Sequence, residues 1–563
     1  MLSVWVGRAG SGKSRRVLEA MEKNRGLRRQ VLLVPEHISH EAEVDLCRAL
    51  GPTASRDAEV LSFRSLSSRV LAETGGLAEF TLDNGGKLLT MRRVLQELAP
   101  ELRVFGRPSQ RASFLRQLTD LMEELYAYEI GPQDLYAHVE DLEGAMGDKL
   151  RDIALLYAAY DARLRNGDMD ARSRIQKLQE HLEHSDYLRG CDVYLDGFSY
   201  FNRQEESILE LVLRQASSVT VTLLGDRGNE QLFQNALRQR MRLERMARRV
   251  GQSMEVLWCE KQGSGPLDHL ERHFFGRETA YEGQAEGIRL YQAATAFTEV
   301  EWVSQQLRQL AAEGYRWRDM GVCARNMEVY GPLLESVFRR DGIPAYISRR
   351  SDLLEKPPIT MLLGALDAVT GGFDREDMFR CLKTGLGGIS PDECDILENY
   401  VIVWDIRGGM WLREGDWTAS PDGYGREMTE TAAARLRQVN GVRRRVRLLL
   451  EPLYQGMKTA SSARDKAECL YTFLQEAGVP QALEETAGKL LAENQPQLAE
   501  EYVQLWEIFC GVLDQFVEIL GDTELTGEEF ARLLRLVLTQ YSVGTIPATL
   551  DQVKVSEITR NDR

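Results

Sequence analysis

The sequence lacks any pairing of cysteines that would staple a fold or hold a metal. Cys47, Cys191, Cys259, Cys323, Cys381, Cys394, Cys469 and Cys510 are scattered, with no C-x-x-C pair and no histidine at zinc-ligand spacing. This excludes a disulfide framework and a cysteine metal cluster in this stretch, and it fits a reducing cytosol. Long apolar runs are missing too. None approaches the ~20 residues a membrane helix requires, and the amino terminus enters a short strand directly rather than a leader. The expected location is cytoplasmic, with no membrane partner. Nor is there an excess of basic charge: a net charge of −16 argues against a surface coated in positive charge, while leaving room for a local channel that holds nucleic acid. Short internal repeats and low-complexity tracts are also absent. What is present is a chain of 563 residues with ordinary apolar content, too long for one hydrophobic core and sufficient for about three or four domains.

The most informative segment is G-R-A-G-S-G-K-S, formed by Gly7, Arg8, Ala9, Gly10, Ser11, Gly12, Lys13 and Ser14. It follows the apolar run Leu2 to Val6 and precedes a helix-like segment, which is the strand–loop–helix context of a Walker A phosphate loop. The chemistry needs these residue types. Gly10 and Gly12 let backbone N–H groups curl around phosphate oxygens, Lys13 adds a point charge, and the Ser14 hydroxyl can ligate Mg²⁺. The competing reading is a glycine-rich turn without a ligand.

Periodicity predicts an α/β chain. Helix Ser14–Met21, strand Val31–Pro35, helix Ser39–Leu50, strand Glu59–Ser62, and helices Phe63–Glu73 and Gly85–Leu98 follow the loop. From Pro108 to about Tyr187 the apolar spacing is helical throughout. The sheet pattern then resumes with Val193–Asp196, a helix near Gln204–Arg214 and the strand Val219–Leu224. A connector spans Gly263 to Glu286, and a second series opens with a strand at Ile288–Tyr291. It continues as helix Thr298–Gly314, strand Met320–Ala324, helix Tyr330–Asp341, strand Ala345–Ile347 and helix Ile359–Val369, before a helical stretch from Asp374 to about Tyr541. The expected division is a first sheet domain at 1–107 and 188–285 interrupted by a helical insertion at 108–187, then a second at 286–373 and 542–563 interrupted by one at 374–541.

Asp196, at the carboxyl end of V-Y-L-D, is the Walker B candidate for holding Mg²⁺ through water, against the alternative of an Asp that caps a helix or turn. The residue after it is Gly197, where an efficient ATPase commonly carries the acid that orients water. Two arginine clusters, Arg238, Arg240, Arg242, Arg245, Arg248, Arg249 and Arg435, Arg437, Arg443, Arg444, Arg445, Arg447, read either as a phosphate-tracking groove or as solvated helix faces paired with acids. Phe63, Phe198, Tyr200 and Phe201 follow core strands, where they serve either base stacking or the core.

The ordered set of G-R-A-G-S-G-K-S, V-L-L-V-P-E-H-I-S-H-E-A-E at 31–43, L-S-F-R-S-L-S-S-R-V-L-A-E-T-G-G at 61–76, L-D-G-F-S-Y-F-N-R-Q-E at 195–205 and G-V-C-A-R-N-M-E-V-Y-G-P-L-L at 321–334 resembles the AddB family. These are the B components of bacterial AddAB (RexAB-type) ATP-dependent helicase-nucleases, which are similar in turn to the superfamily-one helicases like UvrD. The resemblance implies a P-loop NTPase fold with two RecA-like parallel-sheet domains and large helical insertions. It implies ATP and Mg²⁺ as cofactors, an AddA-type partner protein, single- and double-stranded DNA as ligands, and a role in processing double-strand breaks for recombinational repair. Arg325 falls where such motors place a γ-phosphate arginine, with a surface salt-bridge arginine as the alternative. His37, Ser39, Phe63 and Phe201 fall near the surface with which the family inspects single-stranded DNA for a hotspot sequence. His37, Ser65 and Ser68 depart from the residues often found there.

The departures from active helicases are at the chemistry. Asp196-Gly197-Phe198-Ser199 stands where those enzymes show D-E-x-Q, and Gly225-Asp226-Arg227-Gly228-Asn229 where they show G-D-x-x-Q. The resemblance therefore implies a module that binds nucleotide and DNA while a partner drives strand separation. The competing reading is an autonomous DNA-stimulated ATPase using Glu205 or Glu206 as base; a small-molecule kinase leaves the insertions without a purpose. AddB-type proteins also carry a nuclease domain and a cysteine-bound iron–sulfur cluster. Neither is expected before Arg563; both belong to a full-length relative, and the sequence reads as an amino-terminal part without nuclease activity of its own.

Overall fold

Short runs of aliphatic residues, apolar on both faces, build strands buried in a parallel sheet, because crossover helices cover such a sheet on both sides. The computed structural model describes the chain apart from residues 52, 76–81, 107–111, 140, 141, 143, 167–173, 230, 262, 276–278, 348–350, 494, 544–550 and 559–563. The expected boundary at 107–108 and the last five residues lie outside the described residues.

In chain order the first half contains β1 Leu2–Gly7, α1 Lys13–Lys23, β2 Gln30–Leu33, α2 Ser39–Leu50, β3 Ala58–Leu61, α3 Phe63–Thr74, α4 Asn84–Leu98, α5 Ala112–Ala127, α6 Pro132–Val139, α7 Ala145–Asn166 and α8 Arg174–Leu182. It continues with β4 Asp192–Leu195, α9 Arg203–Gln215, β5 Ser218–Leu224, α10 Gln234–Arg249, β6 Met254–Trp258 and α11 Pro266–His273. The six strands form one sheet in the order β3-β2-β4-β5-β1-β6, with every neighbouring pair parallel. One face packs Val31, Val193 and Val219 against α3, α8, α9 and α10; the other packs Leu32, Val34 and Tyr194 against α1 and α2. All strands point the same way, so their carboxyl ends share one edge, where open α/β sheets hold ligands.

The second half runs α12 Ala296–Ala312, β7 Gly321–Ala324, α13 Met327–Arg340, β8 Ala345–Ile347, β9 Ser351–Asp352, α14 Pro357–Thr370, α15 Arg375–Leu382, α16 Pro391–Val403, α17 Glu430–Thr459, α18 Ala463–Glu476, α19 Val479–Ala492, α20 Pro496–Leu520, α21 Gly527–Leu538, β10 Ser542–Val543 and β11 Val553–Glu557. A small parallel sheet, β7-β11-β8, packs Val553 and Val555 against Val300 and Leu307 of α12 and Leu334 and Phe338 of α13. Among the described residues the architecture is thus mixed α/β with parallel sheets and a large helical part.

Two findings depart from the periodicity reading. Ile288–Tyr291 is not a strand: Leu290 is fully exposed and Tyr291 lies flat on Trp302 of α12, centroids 4.7 Å apart. The run pairs with neither edge strand of the sheet β7-β11-β8, and its aromatic ring is taken up by α12 instead. The other departure is β6, which sequence reading missed because Glu255 interrupts its apolar run and none of its residues is fully buried.

The helical segments of the two halves share one buried cluster. Leu88, Leu89, Met91, Val94 and Leu95 of α4, Leu115 and Leu118 of α5, and Leu156, Tyr157 and Tyr160 of α7 belong to the same buried cluster as side chains from α14 to α21. α4, expected with the first sheet domain, therefore packs into the helical body. Polar contacts follow the same junction: Tyr541 Oη donates to Asp83 Oδ2 at 2.6 Å, where Asp83 also caps α4, and Arg93 Nη1 donates to the carbonyl of Ile519 at 2.8 Å. Phe516 and Phe530 meet inside it, centroids 5.2 Å apart, both fully buried. Truncating such a ring leaves a cavity and costs about 3–5 kcal/mol. We expect Phe516→Ala to lose that much stability in urea titration, and to lose amide protection in α4 as well as in α20.

Candidate nucleotide site

The phosphate loop is built from the end of β1 and the start of α1. Gly7 closes β1, and a side chain there would overlap the Cys259 carbonyl and the Ser11 hydroxyl. Gly10 and Gly12 adopt φ of 71° and 78°, a region costly for other residues, and Gly12 caps α1 while its carbonyl accepts from Arg16 N at 2.9 Å. The amino end of α1, with its unpaired N–H groups and positive dipole end, is thereby aimed at the loop. Lys13 Nζ folds back and donates to the carbonyls of Gly7 and Arg8, both at 2.8 Å. Burial pushes the Lys13 pKa down, against the opposing pull of Asp196 and Cys259.

Asp196 follows β4 and is buried, accepting from Thr222 Oγ1 of β5 at 2.6 Å. Its charge is felt at Lys13, so the two expected partners of a phosphate–Mg²⁺ site share one field. Gly197 has φ of 82°, and a Cβ there would come within 2.6 Å of Ile38 Cδ1. The position carries no acidic side chain, and its left-handed backbone would strain one. Glu205 and Glu206 are engaged elsewhere: Glu205 Oε2 accepts from Asn202 N at 2.9 Å in a capping box of α9, and Glu206 Oε1 accepts from Arg242 at 2.9 Å.

A second layer of residues lies against the loop, in which Lys261, Asp268 and Glu271 were missed in the sequence. Arg8 Nε pairs with Asp226, and its Nη1 donates to the carbonyl and carboxylate of Glu271 in α11 at 3.1 and 3.2 Å. Lys261, just after β6, lies 3.5 Å from where a Gly10 Cβ would stand and is drawn between Asp268 at 3.4 Å and Glu271 at 4.0 Å. Recognising β6 as a strand would have pointed to Lys261, because a sixth strand end at the same edge delivers its loop there. A cleft of about 470 Å³ opens at this edge, lined by Gly7, Arg8, Asp226, Cys259 and Lys261 among others.

The remaining expected residues are distributed unevenly. Arg325 follows β7 in the second sheet, is exposed, and pairs with no carboxylate among the described residues. That sheet is tied to the first by Lys554 of β11 and Glu41 of α2. His37 is exposed in the turn after β2, and Ser39, half-buried, donates to the Glu36 carbonyl at 2.9 Å. Phe63 and Phe201 are a correction: both are buried and pack on Phe198, centroids 5.5 and 4.9 Å away, so as placed neither ring offers a face to a base. The core claimed them because they close the carboxyl edge above Leu61 and Leu195. Tyr200 beside them is exposed.

The arginine clusters separate. In the second, Arg435 pairs with Asp422, Arg444 with Asp416, Arg445 with Glu393 and Arg447 with Glu451, and Arg443 is buried, donating to the carbonyls of Arg413 and Gly415. These are structural. In the first, along α10, Arg242, Arg248 and Arg249 pair with Glu206, Glu244 and Glu210, Arg240 lies over the Trp258 ring, and Arg238, Arg240 and Arg245 find no carboxylate among the described residues. No helix among the described residues is long and apolar enough to cross a membrane.

Comparison of the sequence with known proteins relates this chain to a family whose curated members are named as helicase/deoxyribonuclease B subunits. Residues 4–271 match the family described as "ADDB, N-terminal". A protein from Desulforudis audaxviator, named as the B subunit of an "ATP-dependent helicase/deoxyribonuclease", is 34% identical over 99% of this chain and 50% of its own length. Proteins of the same name from Acetivibrio thermocellus and Clostridium botulinum (strain Hall) are 31% and 30% identical, each again covered over 50% of its length. The chain belongs to the AddB family, and it spans about half the length of the curated relatives it matches.

Two outcomes follow from this geometry. Gly197→Ala should destabilise the protein by about 1–3 kcal/mol, read in denaturant titration, because the left-handed backbone and Ile38 both oppose a side chain. The Asp226 carboxyl is held below its usual value: burial opposes ionisation, but the Gly228 N–H and the Arg8 guanidinium outweigh it. Its stabilisation is complete above the unfolded-state value of about 3.9 and lost as pH falls through the lower folded value. Asp226→Asn should therefore weaken the fold at pH 7, and the difference from the parent should vanish in acid.

Proposed function

We propose that this chain is the nucleotide- and DNA-binding part of the B component of a helicase-nuclease, carrying a superfamily-one helicase-like module that binds ATP without hydrolysing it efficiently. The observation that carries this is the combination at one sheet edge of a complete phosphate loop with Gly197, which supplies no catalytic acid at a backbone conformation that disfavours one. The order of strands supports the fold assignment, since the strand of the phosphate loop and the strand of Asp196 flank β5 as a Walker pair does. In the proposed site the loop N–H groups and Lys13 hold the phosphates, Ser14 and Asp196 hold Mg²⁺, and Lys261 adds charge from outside the motif. Arg325 meets the terminal phosphate from the second sheet domain. ATP supplies binding energy here rather than a chemical step.

By resemblance to the relatives, the whole assembly would be a complex with an AddA-type helicase-nuclease partner, formed to process double-strand DNA ends for recombinational repair. Reading of a hotspot sequence in single-stranded DNA would involve the exposed His37, Ser39 and Tyr200, with Phe63 and Phe201 shaping the surface from beneath. The autonomous-ATPase reading has less support, since both candidate bases are committed to structural contacts.

The test is fluorescent ATP-analogue binding with Mg²⁺, followed by single-turnover hydrolysis. Lys13→Ala should abolish binding and Lys261→Ala should weaken it roughly tenfold, the scale of one charge-assisted hydrogen bond. Hydrolysis by the parent chain with single-stranded DNA should stay below the ordinary ~1–10³ s⁻¹ range. Turnover within that range that is lost in Lys13→Ala would overturn the proposal.

A further inference from the structure

A second concavity lies beside the phosphate loop and shares only Arg8 with it. It is a groove of about 1200 Å³ between α10 and α11, bounded at one end by Tyr200 and the start of α9. That exceeds the ~300–1,000 Å³ typical of small-molecule pockets and suits a polypeptide or polynucleotide segment. Its two walls differ in character.

The α11 wall is a helix ridge without a packing partner. Leu267, Leu270 and Phe274 follow one another at i, i+3 and i+7 and are 60%, 42% and 67% exposed. That spacing lines one side of a helix and is the pattern by which helices pack on one another. The α10 wall is a row of arginines. Arg238, Arg242, Arg245 and Arg249 all line the groove at i, i+4, i+7 and i+11, a stripe about 16 Å long at 1.5 Å per residue. Arg242 and Arg249 are already neutralised by Glu206 and Glu210, which leaves Arg238 and Arg245, two turns apart, without a carboxylate among the described residues.

This distribution favours a protein segment over nucleic acid. A phosphate backbone following the arginine row would meet fixed carboxylates at every second position. The opposite wall sets Leu267 and Leu270 beside Phe274 and Phe275, whose rings stand edge to face with centroids 4.8 Å apart, a knobbed apolar surface rather than a flat platform for successive bases. A helix with an apolar stripe for α11 and two acids seven residues apart for Arg238 and Arg245 satisfies both walls at once, in the helix-in-groove mode of recognition. We infer that this groove docks an acidic-faced amphipathic helix of the AddA-type partner. The inference rests on the proposed role as the B component of the complex and names the surface that role uses.

The experiment is co-expression of the chain with the AddA-type protein of the same organism, with capture measured for the parent, Leu270→Glu, and the Arg238→Glu/Arg245→Glu double variant. Oligo(dT) binding by each chain alone is measured in parallel. All three positions are on the rim or an exposed ridge, and thermal melts check that folding is intact. The expected result is at least a tenfold loss of affinity for the AddA-type protein in both variants, with oligo(dT) binding unchanged. Undiminished capture by both variants overturns the groove assignment while leaving the role in the complex intact. Loss of oligo(dT) binding with capture retained makes the groove a nucleic-acid site and overturns it as well. Failure of the parent chain to capture the AddA-type protein removes the underlying role together with the inference.

Discussion

The constraint on which the rest depends is that two stretches of sequence far apart in the chain share one helical core. α4, α5 and α7 contribute leucines and tyrosines to the same interior as α14 to α21, and Arg93 and Tyr541 close its polar seams. Each sheet is attached to this body through the chain that enters and leaves it. The first sheet and its phosphate loop, and the second sheet with Arg325, are therefore positioned relative to each other through a common support as well as through Lys554 and Glu41. Packed interiors resist continuous deformation, and Glu129 of the helical part also accepts from Ser207 of α9 at 2.6 Å, so the shared core acts as a frame. Such a frame suits a module that presents fixed surfaces more readily than one that swings its halves with every catalytic cycle.

Within that frame the phosphate loop satisfies itself. Lys13 rests on the loop's own carbonyls, Arg8 is latched by Asp226 and Glu271, and Lys261 is held by Asp268 and Glu271. Each cation has a local acceptor that an incoming phosphate would replace, so the loop carries its charges at low cost before a ligand arrives. Asp196, kept next to Lys13 in a buried setting, completes the cradle. The adjoining Gly197 supplies no acid there, and its left-handed backbone opposes one.

Much of this was legible in the residues. The strand–loop–helix around Lys13 was, because glycine spacing and a preceding apolar run leave few alternatives; so was Asp196 at a strand end. Helices such as Ser39–Leu50 follow directly from period and from the glycine that ends them. What sequence did not reveal was set by packing. β6 is an edge strand with one face half-exposed, so its pattern is diluted, and with it went Lys261 and Glu271. The aromatic rings of Phe63 and Phe201 carry the same spacing whether they face DNA or Phe198, and only the packing decides. α4 reads like any amphipathic helix, and nothing in its own residues says which of two bodies will cover it.

The fate of the arginines shows how charge sorts structure from interface in an acidic chain. With acids in excess, an arginine left without a carboxylate is conspicuous. In α17 every candidate but Arg437 is paired or buried against carbonyls, and that row is architecture. Along the groove face of α10 the pairing alternates, with Arg238 and Arg245 left without a carboxylate among the described residues, while Arg240 lies on Trp258 away from it; the groove's other wall is α11. α11 also supplies Glu271 to Arg8 of the phosphate loop. One short helix thus has an apolar ridge on the groove and a carboxylate on the nucleotide site. Whatever displaces it from one side must alter the ion pair on the other, and by linkage the reverse holds with equal free energy.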